Sequence, residues 1–110
     1  MKLPNIQFEK IIWNKIRRVE LKGLSGSSFW KTFEVGEIRI RMVDYSPGFE
    51  SDHWCEKGHI LLVLEGELII NMKNGDQHTL GKGEGFTVGD DLLNPHLACS
   101  DKGAKVFIVD

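Results

Sequence analysis

The side chains best suited to hold a metal ion lie close together near the middle of the chain. His53, Cys55 and His59 fall within seven residues of one another. Imidazole nitrogen and thiolate sulfur each offer a lone pair to a metal ion at about 2.0 to 2.3 Å. If the backbone is extended, His53 and Cys55 share a face because strand side chains alternate. A turn at Lys57-Gly58 then returns His59 to the same place, so these residues predict a metal site.

The elements that must position this cluster are short strands. FWKTFE and IRIRMVDY predict a hairpin around Gly36, and the run from His59 to Met72 predicts a long strand that ends at the turn Asn74-Gly75-Asp76. Further short β-rich runs follow, with glycine between them. The pattern predicts an all-β fold, either a barrel or a sandwich.

The predicted strand IRIRMVDY has two different faces. Ile38, Ile40 and Met42 alternate with Arg39 and Arg41. The arginines either form a solvated strand face or, if the barrel turns its polar face inward, anchor an anionic substrate. The sequence leaves both alternatives open.

The first 28 residues differ from the rest. Phe8, Ile12, Ile16 and Val19 are near helical spacing, which predicts either a short helix or an irregular arm packed on the barrel. At 110 residues and 12.5 kDa, the chain has room for one domain. We therefore expect a single domain with an arm or short helix over 1–28 and a barrel over 29–110.

Composition excludes several functions. The formal net charge of −2, with both signs interspersed, argues against a nucleic-acid partner. No apolar run reaches the roughly 18 residues of a membrane span, and the first residues lack the apolar stretch of a secretory signal. We expect a cytoplasmic protein without a membrane partner. Its two cysteines are too few for a disulfide framework.

The stretch PGFESDHWCEKGHILLVLEG resembles the first motif of the cupins, which has a proline-glycine turn, two histidines, a glutamate and a glycine. Three residues separate Cys55 from His59 and six separate His59 from Gly66, as in that motif. Cys55 stands where the second histidine is expected, and His59 where the glutamate is expected. His96 corresponds to the histidine of the second motif, with Ser100 at its asparagine position. The segment from 91 to 95 is about two residues longer than usual.

A narrower resemblance covers roughly Phe29 to Asp110. The order Asp52-His53-Trp54-Cys55 is similar to that of the small bacterial proteins called DHCW-motif cupins. This likeness implies a double-stranded β-helix, or jelly-roll barrel, and a metal site but no particular reaction. It also implies a homodimer, which the exposed strand edges of a small barrel favour independently.

In the barrel frame, His53, Cys55, His59 and His96 form the predicted ligand set. A thiolate and imidazoles favour one divalent transition-metal ion, with zinc the first choice and iron, nickel or copper as alternatives.

The first hypothesis is a metal-dependent enzyme acting on a small polar or carboxylate substrate, for which the resemblance allows isomerase, lyase or dioxygenase chemistry. The second is a non-catalytic module that binds a metal or small ligand. Four protein ligands would close a tetrahedral site, whereas catalysis needs an open position. Glu56 is the nearest candidate for a general base.

Overall fold

The structure is a computed structural model that describes residues 2–90 and 94–110. Within them the chain forms nine strands: β1 Val19–Lys22, β2 Ser27–Val35, β3 Ile38–Tyr45, β4 Phe49–Glu50, β5 His59–Met72, β6 Gln77–Gly81, β7 Gly85–Val88, β8 His96–Ser100 and β9 Ala104–Val109. All of their pairings are antiparallel. These residues contain no α-helix, so the all-β prediction is confirmed.

The long strand β5 joins the two halves of the barrel. Its first half pairs with β7 and β9, and its second half pairs with β6 and β8. A register shift between Val63 and Glu65 bends the strand where it passes from one half to the other. Gly66 follows with a φ of +78° and lies so close to the carbonyl of Gly103 that a side chain would collide with it. The sheet curls around a core because of this bend.

The core lies between the two halves. Its buried apolar side chains come from alternate positions of β3, β5, β6 and β9: Val43, Leu61, Val63, Leu68, Ile70, Leu80, Ala104, Val106 and Ile108. The predicted hairpin of β2 and β3 and the predicted turn after Met72 are both present, with φ of +57° at Gly36 and +101° at Gly75. The sequence predicts that the segment from 91 to 95 is longer than usual. Its residues 91–93 lie outside the described residues.

The N-terminal segment is an arm. It contains a 3₁₀ turn at Trp13–Lys15 and then β1, which pairs with the edge of β2. Ile6 contacts the β2–β3 turn, and the carbonyl of Trp13 accepts a hydrogen bond from Lys31 Nζ at 3.1 Å. The residue before the 3₁₀ turn makes no side-chain capping bond, and Phe8 is 99% exposed, so the apolar stripe of a helix is not buried here. Of the two predicted forms, the structure has the arm.

Among residues 2–90 and 94–110, no helix combines the length and apolar character needed to cross a membrane.

Candidate metal centre

Three potential metal ligands converge at one end of the barrel. Cys55 and His96 form an isolated antiparallel bridge in which each backbone N–H donates to the other's carbonyl, at 2.8 and 3.0 Å. Residues paired in this way direct their side chains to the same face. His59 is the first residue of β5 and His96 the first of β8, so both imidazoles are held at strand ends. The thiol and both imidazoles therefore come from parts of the chain that the barrel brings together.

The donor atoms of this cluster face one another. His59 Nε2 lies 2.9 Å from His96 Nε2 and 3.8 Å from Cys55 Sγ. One ligand atom from each of the three residues can be chosen so that all lie within 4.8 Å of one another. Two nitrogens bound to one tetrahedral ion are roughly 3.3 Å apart, given metal–nitrogen distances of about 2.0 to 2.1 Å. The cluster has the dimensions of a mononuclear site.

The second nitrogen of each imidazole fixes its tautomer. His59 Nδ1 donates to Asp110 Oδ2 at 3.3 Å, and His96 Nδ1 donates to the carbonyl of Asn94 at 3.1 Å. Both partners only accept hydrogen bonds, since a carbonyl has no proton and the pKa of Asp110 lies at about 2. When its Nε2 carries no proton, each imidazole therefore directs an Nε2 lone pair into the cluster. Two lone pairs at 2.9 Å repel each other unless a proton or a metal ion lies between them, and such outer hydrogen bonds are the usual support of metal-bound histidine.

The thiol of Cys55 is also suited to bind a metal ion. Burial opposes the thiolate, but hydrogen bonds from the imidazoles of His59 and His96 outweigh it and lower the pKa of Cys55 to about 5. These hydrogen bonds require a proton on Nε2, which a metal ion would replace. The Cys55 thiolate in turn raises the pKa of His96 against the opposing effect of burial. A thiolate at neutral pH is the form of cysteine that binds metal ions.

His53 lies apart from this cluster. Its side chain is 76% exposed, and its Nδ1 makes a 2.7 Å hydrogen bond with Asp52 Oδ1. The sequence argument required an extended backbone to put His53 beside Cys55, but residues 52 and 53 form a bend. The structure therefore brings together three of the four predicted ligands, Cys55, His59 and His96, and the role of His53 as a ligand stays a prediction.

A cavity of about 440 Å³ adjoins the three ligands. Its walls include the inward-facing side chains Trp30, Arg39, Arg41 and Tyr45, and Glu56 lies on its exposed side. The catalytic role predicted for Glu56 is consistent with that position and stays a prediction.

The two arginines of β3 point into the barrel. The Arg41 side chain is 5% exposed and that of Arg39 is 29% exposed, and both pair with Asp110, at 2.8 and 3.0 Å. Burial raises the pKa of Asp110, but the hydrogen bond from Arg39 and the positive charges of Arg41 and Arg39 lower it to about 2. Of the two alternatives left open by the sequence, the solvated face is therefore wrong and the inward orientation is correct.

Asp110 is the residue that sequence reasoning missed. It connects both arginines to a predicted metal ligand, yet it follows the plain apolar run KVFIV. A signal was present in that strand, because Asp110 has the same parity as the buried Val106 and Ile108. A carboxylate on the core face needs a buried partner.

Comparison with known proteins identifies the architecture. A cupin-superfamily sugar phosphate isomerase from Silicibacter pomeroyi matches with a TM-score of 0.72 and 19% identity, covering 92% of this chain and 74% of that one. A RmlC-like cupin from Shewanella frigidimarina matches with a TM-score of 0.73 and 17% identity over 94% and 90% of the chains. A predicted oxalate decarboxylase from Thermotoga maritima matches with a TM-score of 0.76 and 14% identity over 92% and 96%.

The chain has the cupin fold. The jelly-roll barrel predicted from the residues is thereby confirmed. Identities this low establish the fold alone, and no family model and no curated protein matches the chain. Within this cupin fold, the Cys55, His59 and His96 group supports a metal ion without identifying it. The narrower likeness to the DHCW-motif cupins stays a prediction.

Proposed function

We propose that this cupin-fold protein binds one divalent transition-metal ion through Cys55 Sγ, His59 Nε2 and His96 Nε2, and that it is a metal-dependent enzyme acting on a small polar or carboxylate substrate. The observation that carries the proposal is the pair of Nε2 atoms at 2.9 Å, both fixed as lone-pair donors by partners on Nδ1. A thiolate next to them completes a donor set of three.

Zinc is the first choice for the metal. One thiolate and two imidazoles suit zinc, and the same donors also suit iron, nickel or copper, whereas magnesium and calcium prefer oxygen ligands. The ligand set contains no carboxylate, since Asp110 contacts His59 from behind rather than facing the other donors.

The number of converging ligands favours an enzyme. Catalytic zinc sites use three protein ligands and leave a position for water or substrate, whereas structural sites use four. Such an ion, when bound, polarises a substrate oxygen or activates water. The chain's own residues have supporting roles: Asp110 orients His59, the barrel walls exclude bulk water, and Glu56 at the cavity accepts a proton.

A non-catalytic binding module is the second candidate. His53 also lines the cavity, and a rotation that brought it to the ion would supply a fourth ligand and close the site. The contribution of His53 to metal binding therefore discriminates between the two functions.

Titration of the metal-free protein with zinc and with cobalt(II) tests the metal site, with calorimetry and visible absorption as the respective measurements. We expect one ion per chain and a thiolate-to-cobalt absorption band that is lost in Cys55→Ser. His59→Gln and His96→Gln each weaken binding, whereas the exposed His78→Gln serves as the matched control. An unchanged affinity in both ligand variants would refute the site.

The same titration of His53→Gln decides between the two functions. Unchanged zinc affinity supports the open site of three ligands. A loss as large as that of His59→Gln supports the closed module.

A further inference from the structure

We propose that the guanidinium of Arg41 forms a carboxylate-binding subsite inside the barrel, beside the metal centre. The ligand class is a short carboxylate that carries a second oxygen donor. The contact between the carboxylate and Arg41 is argued from the surroundings of Arg41 alone. Only the contact between the second oxygen and the metal ion rests on the proposed function.

Arg41 is a buried cation with an unused donor. The residue is 4% exposed, and its guanidinium carbon lies 4.3 Å from the centre of the Trp30 ring. Nη2 donates to Asp110 Oδ2 at 2.8 Å, but Nε has no hydrogen-bond partner among the residues that the structure describes. A buried N–H without a partner is destabilising, and guanidinium donors form strong hydrogen bonds with carboxylates. Arg41 therefore has a donor that an incoming anion can satisfy.

Asp110 accepts from Arg41 through Nη2 and does not accept from its Nε. A carboxylate has about four lone-pair sites. Arg39 Nε donates to Oδ1, while Arg39 Nη2, Arg41 Nη2 and His59 Nδ1 donate to Oδ2. Three donors therefore crowd Oδ2 and one occupies Oδ1, and in this arrangement Arg41 Nε makes no hydrogen bond with Asp110 or with any other residue that the structure describes.

The charges around the cavity also favour an anion. Asp110 pairs with both Arg39 and Arg41. The charged side chains that line the cavity are four basic ones and two acidic ones: Lys22, Arg39, Arg41, Lys57, Asp52 and Glu56. A divalent ion at the three ligands would leave an excess of positive charge in a site where water screens it poorly. A carboxylate that enters the cavity reduces this excess.

One small molecule can reach both anchors. Only the hydrogen bonds of Asp110 and the ring of His59 separate Arg41 Nη2 from the His59 Nε2 that faces the other ligands. The cavity of about 440 Å³ is within the usual range for small-molecule sites. Arg41 and the three ligands line this one cavity, so a carboxylate on Arg41 has its neighbouring hydroxyl or carbonyl oxygen in the same space as the metal centre.

Nuclear magnetic resonance of the arginine Nε–H groups tests the subsite directly. The chain has four arginines, so each signal can be assigned by substitution. Acetate and glycolate are titrated into metal-free and zinc-loaded wild-type protein, with acetamide and glycolamide as neutral controls of the same shape. We expect the two carboxylates to move the Arg41 signal and the two amides to leave it in place.

Arg41→Lys is the matching variant, because it keeps the charge that faces Asp110 but lacks the planar fork. Its control is Arg18→Lys, since Arg18 also stacks on an aromatic ring, 3.8 Å from the centre of Phe29, but outside the cavity. We expect Arg41→Lys to weaken glycolate binding to the zinc-loaded protein about 10- to 100-fold, and Arg18→Lys to leave it unchanged.

Two results would overturn the subsite: an Arg41 signal that glycolate does not move in either form of the protein, or wild-type glycolate affinity in folded Arg41→Lys. If Arg41→Lys does not fold, the wild-type titration still decides. A carboxylate response in the metal-free protein, together with a failure to bind zinc, would refute the metal centre and leave the subsite standing. Zinc binding without any movement of the Arg41 signal would refute the subsite and leave the metal centre standing.

Discussion

Replacing Asp110 with asparagine removes the one carboxylate that joins the arginine pair to the metal centre. Its pKa is about 2 rather than the ordinary 3.8, and this shift corresponds to about 2 kcal/mol of stabilisation of the charged form. Breaking a buried ion pair destabilises proteins by about 3 to 5 kcal/mol. Because the side chain of Arg39 is 29% exposed, we take the lower part of that range. We expect Asp110→Asn to lower the free energy of unfolding by about 2 to 4 kcal/mol, from the value given by the pKa shift up to the lower part of the range for buried pairs.

The same substitution should weaken metal binding. His59 loses a charged acceptor at Nδ1, and the loss of such a partner reduces metal affinity about 10- to 100-fold. Urea unfolding of the metal-free protein measures the first effect, and zinc calorimetry measures the second. Separating the two assays matters because bound metal itself stabilises the folded state.

Asp52→Asn is the matched control. Asp52 also bonds a histidine Nδ1, at 2.7 Å, but its side chain is 58% exposed. Exposed pairs contribute little to stability because water and salt screen them. If Asp110→Asn destabilised the protein no more than Asp52→Asn, and left zinc affinity intact, Asp110 would not link the arginines to the metal centre.

Three further predictions follow from particular residues. Gly66→Ala should lower the free energy of unfolding by more than 1 kcal/mol in urea unfolding. Gly48 has the same φ of +78° but no atom within 4 Å of an added Cβ, so Gly48→Ala should lower it clearly less. Equal losses would show that backbone strain alone is responsible. In the metal-free protein at pH 7, iodoacetamide should modify Cys55 before Cys99, because the pKa of Cys55 is lowered to about 5 and burial raises that of Cys99; zinc should protect Cys55, and the opposite order would contradict the assignment. The predicted homodimer should appear in sedimentation velocity and dissociate in Leu62→Lys, since Leu62 is 40% exposed on the outside of the barrel; a monomeric wild type would exclude it.

The sequence predicts strands well where alternation and turn residues agree. The long strand from His59 to Met72 has the predicted bounds, and the turn after it forms as the Asn-Gly pair indicates. The N-terminal segment was ambiguous because Phe8 and Ile12 have helical spacing. Their exposed side chains show that spacing alone does not form a helix without a surface on which to bury it.

The candidate site was predictable only in part, because its residues are brought together by tertiary structure. Ligand types and spacing indicate Cys55 and His59, and the barrel frame adds His96 from a distant strand. The position of His53 depends on a local bend that alternation cannot foresee. Asp110 was missed because a single aspartate after an apolar strand carries no motif.

The orientation of β3 shows why alternation identifies two faces but not which of them is inside. Ile38, Ile40 and Met42 form the more apolar face, and a simple rule would bury it. The arginine face also carries Val43, however, which is fully buried in the core. Arg39 and Arg41 lie on the same strand face as Val43, so burying Val43 turns both arginines inward. Burying guanidinium groups is unfavourable unless they are paired. Asp110 supplies that pairing from the adjacent strand, and the donor left unused on Arg41 Nε is the remaining imbalance. Arg41 donates to the same Asp110 carboxylate that holds His59. An anion bound to Arg41 therefore acts on the carboxylate that orients a metal ligand, so anion binding and metal binding should be energetically coupled.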